Sequence, residues 1–193
     1  MYRDVKIHQY LFEKPYSNFF RMNRIFSPSL FAGKVNIVTG GGTGIGFGVA
    51  RAIVELGGKC VIASRSGDKI NAAVDQLKEH CTGDADVTGL TVNVRDRDSV
   101  RAMIKDTLEI HGRLDGLVNN GGGQFYSNAE QISSKGWNAV IETNFYGTWN
   151  CMQEAFDQYM KDNGGYIVNI VTTNRTGMPG MSHSGKESMD GTV

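Results

Sequence analysis

A run of eight residues, Thr39-Gly40-Gly41-Gly42-Thr43-Gly44-Ile45-Gly46, constrains this chain more than any other stretch. It follows an apolar, β-branched segment at 34–39. It precedes Ile45, Val49, Ala52, Ile53 and Leu56, which recur at helical spacing until Gly57-Gly58 ends the pattern. Glycines between a strand and a helix allow a tight turn and let backbone N–H groups come close to a pyrophosphate. That anion then rests on the positive end of the helix. A glycine triplet alone would also serve an ordinary strand-to-helix turn, so the rest of the chain has to decide between the two.

The rest of the chain alternates. Strands are expected at 34–39, 60–63, 87–94, 116–119 and 166–171, and helices at 45–56, 70–81, 99–110 and 135–161. The last helix carries Trp137, Val140, Ile141, Phe145, Met152, Ala155, Phe156 and Tyr159 as its expected apolar stripe. Such alternation specifies the α/β class, here a Rossmann-type, doubly wound parallel sheet. After Thr172 the periodicity stops, and 173–193 is polar, glycine-rich and carries Pro179. The expected organisation is an arm at 1–30 and one nucleotide-binding domain at 31–193 that is incomplete at its C-terminus. The arm mixes aromatics with Arg3, Lys6, Arg21 and Arg24 beside Asp4 and Glu13. It reads as a surface arm or oligomer contact, with a mitochondrial leader as the alternative.

Composition narrows the partners. Hydrophobic residues make up 40% and charged residues 21% of the 193, which suits a globular domain with a sizeable core. Lys plus Arg and Asp plus Glu number 20 each, so no charge excess points to nucleic acid or an anionic membrane. No apolar run approaches the roughly 20 residues that span a bilayer. Cys60, Cys81 and Cys151 lack metal-ligand spacing and read as small core residues in a reducing compartment, and no metal is expected.

About twenty residues beyond the glycine loop, an acidic side chain would hold the ribose hydroxyls of NAD. This chain has Ser64-Arg65-Ser66 there. A carboxylate would repel a 2′-phosphate, whereas an Arg pairs with one and a Ser donates to it. The expected cofactor is therefore NADP(H), with a merely solvated Arg65 as the alternative.

Gly40, Gly44 and Gly46, the segment Asn119-Asn120-Gly121-Gly122 and Asn144 in the long helix together resemble the short-chain dehydrogenase/reductase family over about 31–184. The resemblance implies a cofactor site of Gly40, Gly44, Ile45, Gly46, Ser64, Arg65, Asn93, Val94, Asn120, Gly121 and Gly122. Gly121 stands where the family has Ala. Asn144 would order a water in the proton relay, and Thr172 would take the place of the family's usual Ser and donate to a substrate carbonyl.

Residues 117–125 and 133–144 are similar to the peroxisomal trans-2-enoyl-CoA reductases of that family, and to its 2,4-dienoyl-CoA reductases. That likeness implies an acyl-CoA substrate, with Gly123, Gln124 and Phe125 lining the acyl channel and NADPH reducing the 2,3-double bond. The runners-up are a 3-oxoacyl or hydroxy dehydrogenase and a non-catalytic nucleotide-binding module. It also implies a homo-oligomer and a peroxisomal address, although Asp190-Gly-Thr-Val193 is no targeting tail. The family's proton donor is a Tyr with a Lys four residues later, and no Tyr follows Tyr166 here. The expectations are a chain without turnover of its own and, at the end of the sheet, an uncovered apolar edge.

Overall fold

A computed structural model describes residues 25–124, 127 and 129–171. Five strands alternate with helices: β1 (Val35–Thr39), α1 (Gly44–Glu55), β2 (Lys59–Ser64), α2 (Gly67–Lys78), β3 (Asp86–Thr91), α3 (Arg97–His111), β4 (Gly116–Asn119) and β5 (Tyr166–Asn169). The sheet order is β3-β2-β1-β4-β5, and every pairing is parallel. This is the α/β, doubly wound Rossmann arrangement expected from the alternation. The β1 side chains are all buried, as both-faced covering of a parallel sheet requires.

Two apolar clusters lie on opposite faces. Val38, Cys60, Ile62 and Val118 meet Ala50, Ile53 and Val54 of α1 and Ile70, Ala73 and Leu77 of α2. On the other face Ile37, Val61, Ala63 and Leu117 meet Val100, Met103 and Ile104 of α3 with Cys151, Ala155 and Met160. Burial pushes the Cys60 thiol up, and the Cys151 thiol to about 12, so both stay protonated and inert. Cys81 is only partly buried.

Helix ends follow local chemistry. Asp96 caps α3 by accepting from the N–H groups of Asp98 and Ser99, and Gly112 closes it at φ 74°. Ser133 caps the next helix through the N–H of Gly136 at 3.1 Å. That helix is one continuous run built from α4 (Ser134–Ile141), a π-turn at Glu142–Tyr146, α5 (Gly147–Ala155), a second π-turn at Phe156–Met160, and a last turn α6 (Lys161–Asn163).

The π-turns revise the expected apolar stripe. Val140 and Ala155 are buried, but Trp137, Phe145 and Phe156 are 40–53% exposed. The buried side is made instead of Gly136, Asn144, Gly147, Cys151 and Glu154. Each π-turn rotates the stripe, so a constant 3.6-residue period misplaces the large side chains. Glu154 is held among Arg97, Arg101 and Gln158, which bind α5 to α3. Burial raises its carboxyl, but those hydrogen bonds and charges outweigh it and hold the group below its ordinary value. Two strands are shorter than expected: β3 ends at Thr91 and β5 at Asn169. Asn93 and Val94 therefore sit in the loop after β3.

Among the described residues β5 is one edge of the sheet, opposite β3, and Tyr166, Ile167 and Val168 are exposed on it, as is Val171 just beyond. Register at this edge is pinned by a polar row. Asn36 pairs with Gly116 and Gly116 with Tyr166, and the Tyr166 ring crosses Gly116 so that its hydroxyl donates to Asn36 Oδ1. A Cβ on Gly116 would run into that ring. Burial, with the negative charge of Asp115, raises the phenol to about 12 and keeps it a donor.

The same end of the sheet is tied by Asp115. Its carboxylate accepts from the Val35 N–H at 2.9 Å, from Lys34 at 3.1 Å and from Arg113 at 2.6 and 2.8 Å. Burial raises this carboxyl, but the donors outweigh it and hold it below the ordinary value. A depressed folded value stabilises the fold above the unfolded pKa of about 3.9 and loses that contribution as the pH falls through the folded value. Asp115→Asn should cost about 1–2 kcal/mol at pH 7. The gap in melting temperature between wild type and variant should close as the pH falls from 6 towards 3, and a gap independent of pH would refute this account.

Candidate nucleotide site

The site lies at the C-terminal ends of the strands, where the order turns from β1 to β4 on one side and to β2 on the other. Gly40 leaves β1 at φ 67° and Gly44 opens α1 at φ 56°, both in the left-handed region that glycine tolerates. Gly46 lies so close beneath the loop that a Cβ there would meet the Gly40 carbonyl and, at 2.5 Å, Asn120 Nδ2. Ile45 points outward and is exposed.

The α1 N-terminus is open. Thr43 occupies the cap position without a side-chain cap bond, and no acidic residue lies in the first turn. The first N–H groups of α1 thus keep their donor capacity and the positive end of the dipole. A loop with no side-chain bulk in front of uncapped donors fits a pyrophosphate.

A second loop closes against the first. Thr39 Oγ1 accepts from the N–H groups of Asn120 at 3.1 Å and Gly121 at 2.9 Å. Asn120 Nδ2 donates back to the carbonyls of Thr39 at 3.1 Å and Gly40 at 3.3 Å. The segment after β4 is thereby clamped to the glycine loop. Asn119 Nδ2 donates to Asn169 Oδ1 at 2.9 Å and joins β4 to β5 beside it.

Asn144 lies in the first π-turn and is buried. Its Oδ1 accepts from the Gly123 N–H and its Nδ2 donates to the Gly123 carbonyl, both at 2.9 Å. One Nδ2 hydrogen and one Oδ1 lone pair remain, enough for a bound water. Ser64 ends β2 and the exposed Arg65 follows it, with Ser64 Oγ accepting from the Ser66 N–H at 3.4 Å. No carboxylate stands among Ser64, Arg65 and Ser66. The nearest in sequence is Asp68, in the first turn of α2.

Of the residues singled out from the sequence, Gly40, Gly44, Gly46, Asn120, Gly121, Gly122, Gly123 and Asn144 come together at the ends of β1 and β4. Gln124 follows them exposed, and Ser64 ends the neighbouring β2 with Arg65 just beyond it. Phe125 and Thr172 lie outside the described residues. Sequence reasoning missed Thr39, whose hydroxyl organises both loops; a hydroxyl residue ending a strand immediately before a glycine loop was the available signal. It also missed Arg95, Glu142 and Asn150, which join the loop after β3 to the long helix. Among the described residues no cluster of His, Cys, Asp or Glu could hold a metal.

A parallel sheet with a glycine loop before an uncapped helix defines a dinucleotide-binding protein of the Rossmann class. The family described as short chain dehydrogenase matches residues 34–184, and the chain belongs to that family of oxidoreductases, whose fold implies a nicotinamide dinucleotide. It is 36% identical over 153 residues to the peroxisomal 2,4-dienoyl-CoA reductase of Danio rerio, covering 79% of this chain and 50% of that protein. It is 33% identical over 152 residues to a 3-oxoacyl-[acyl-carrier-protein] reductase of Staphylococcus aureus, covering 78% and 61%. Among solved structures, a citronellol catabolism dehydrogenase of Pseudomonas aeruginosa PAO1 superposes with a TM-score of 0.74 at 35% identity, covering 81% of this chain and 63% of that one. The chain spans about half the length of the 2,4-dienoyl-CoA reductases it matches. No helix among the described residues is long and apolar enough to cross a membrane.

Proposed function

We propose that this chain is the NADP(H)-binding part of a reductase that acts on a carbon–carbon double bond conjugated to an acyl-CoA thioester. The observation that carries the cofactor half is the open glycine loop before uncapped α1, beside a β2 end that offers Ser64 and Arg65 and no carboxylate. The glycine loop and the α1 N–H groups hold the pyrophosphate, and Ser64 and Arg65 bind the 2′-phosphate. Asn93 and Val94 border the adenine, and Asn120, Gly121 and Gly122 line the nicotinamide side with their backbone. When bound, the nicotinamide supplies a hydride to the β-carbon.

The substrate half rests on the relatives. Gly123, Gln124 and Phe125 border the acyl chain, Thr172 donates to the thioester oxygen, and Asn144 holds Gly123 and orders a water. A trans-2-enoyl-CoA is the first substrate assigned. A 2,4-dienoyl-CoA is the second reading, favoured by relatives named for that substrate in Danio rerio and Rattus norvegicus. Their peroxisomal names support assigning the proposed protein to that organelle. Exposed Trp137, Phe145, Trp149 and Phe156 on the long helix are the surface we assign to a second copy.

Titration of the 193-residue chain with NADPH and NADH tests the cofactor. NADPH should bind saturably and more tightly than NADH. At a hundredfold excess over Kd it should stabilise by about 2.7 kcal/mol, a rise of roughly 5–10 °C in melting temperature. No saturable binding would refute the reading. NADPH oxidation by the full-length protein with crotonyl-CoA, a 2,4-dienoyl-CoA or acetoacetyl-CoA then separates the substrates, and preference for acetoacetyl-CoA would overturn the assigned reaction.

A further inference from the structure

The long helix touches both loops that flank the proposed nucleotide groove, and it does so through an irregular turn. On one side Glu142 pairs with Arg95, Asn150 Nδ2 donates to the Val94 carbonyl at 3.0 Å, and Gly147 packs against Val94. A Cβ at Gly147 would come within 2.7 Å of Val94 Cγ2, so the helix rests directly on that residue. On the other side Asn144 grips both backbone groups of Gly123.

Regular α-geometry would not allow this. Positions 142 and 147 would lie about 140° apart around an α-helix, facing different neighbours. Here the Gly147 N–H donates to the Glu142 carbonyl, an i to i+5 bond that brings the two residues onto one side. Asn144, between them, is left to face Gly123. Thr143 Oγ1 donates to the Ala139 carbonyl at 2.8 Å, a back-bond of the kind that bends helices at such places.

Resting on the reading of these loops as the nucleotide groove, we propose that the π-turn Glu142–Tyr146 sets the spacing between the two sides of that groove. Glu142 and Asn150 are positioning residues for the loop at 93–95, and Asn144 is one for the loop at 121–124. A rigid helix that fixes both loops holds the groove at dinucleotide width before the ligand arrives, which reduces the ordering needed on binding.

A π-turn is a single wide turn inside an α-helix, so deleting one exposed residue from it, Tyr146, returns the helix to α-geometry while both flanks keep their faces. The deletion variant should melt cooperatively, within about 3 °C of wild type. In the unliganded protein, amide exchange at 121–124 should accelerate by about tenfold or more, because Asn144 lies inside the turn, while 93–95 stays held by flanks that keep their faces, and the Kd for NADPH should rise by a similar factor. Exchange at 121–124 within about twofold of wild type would overturn the proposal.

If the deletion variant does not fold, Glu142→Gln and Asn150→Ala decide. Each should speed exchange about threefold at 121–124, the loop that the substituted side chain does not touch. Acceleration confined to 93–95 would show only local contacts and refute a spacing role. Because exchange is read without nucleotide, a wild-type chain that fails to bind NADPH would refute the proposed cofactor and leave this measurement standing on its own.

Discussion

Gly46→Ala should remove measurable dinucleotide binding and lower the melting temperature, whereas Gly48→Ala, two residues on in the same helix, should raise it. A Cβ at Gly46 has nowhere to go: it meets the Gly40 carbonyl and Asn120 Nδ2, and neither atom is free to move. The Gly40 N–H is bonded to the Ala63 carbonyl at 2.7 Å, and Asn120 Nδ2 holds the carbonyls of Thr39 and Gly40. Making room means opening the clamp between the two loops, an overpacking cost of about 1–3 kcal/mol or a fall of roughly 2–12 °C. The same shift moves the backbone that approaches the pyrophosphate, so affinity should drop by more than about a hundredfold.

Gly48 is the internal control. Nothing lies within 4 Å of a Cβ built on it, and its φ is not in the left-handed region. Ala there restricts the unfolded chain and should add about 0.5–1 kcal/mol to stability without touching the loop. Calorimetric titration and melting of both variants check the pair. If Gly46→Ala bound NADPH within about threefold of wild type, the close approach of loop and helix would not be what shapes this site.

Elements whose cause is periodic or local were legible in the sequence. The glycine loop, the strand and helix alternation and the residues 116–119 of β4 follow from β-branched runs and punctuating glycines, and the parallel sheet follows from the alternation. The long helix was legible in extent and not in orientation. A constant period places Trp137, Phe145 and Phe156 inward. The protein instead buries Gly147, Cys151 and Ala155 against its neighbours and turns those aromatics outward. A π-turn has no pattern in one sequence, because it depends on how Gly147 seats on Val94, residues 53 apart in the chain by position. The links of Thr39 to Gly121, Asn144 to Gly123 and Tyr166 to Asn36 were hidden for the same reason: each joins distant segments through single polar atoms.

Arg65→Ala should weaken NADPH binding by about tenfold to a hundredfold and leave NADH within about twofold, because a hydrogen bond to a charged group contributes roughly 1.5–3 kcal/mol. Arg65 is exposed at the end of β2, so its loss removes no packing and should not shift the unliganded melting temperature. On the proposed reading the discrimination would rest on one solvent-facing cation and should weaken as salt screens it. Ser64 offers less: its Oγ already accepts from the Ser66 N–H, although its proton remains available to a phosphate oxygen. The Ser66 hydroxyl makes no cap bond to α2, so it adds a second donor near the first turn of that helix. Asp68 in that turn works in the opposite direction by repelling a phosphate, and it is the one carboxylate there that a ribose hydroxyl could use. Asp68→Asn should then strengthen NADPH binding and not NADH binding, by a few-fold at low salt. The double variant carrying Arg65→Ala and Asp68→Asn should bind the two cofactors nearly equally. A ratio of NADPH to NADH affinity that stays at its wild-type value in Arg65→Ala would mean that the 2′-position is read elsewhere. The absence of an acidic residue at the end of β2 would then carry no meaning for the choice of cofactor.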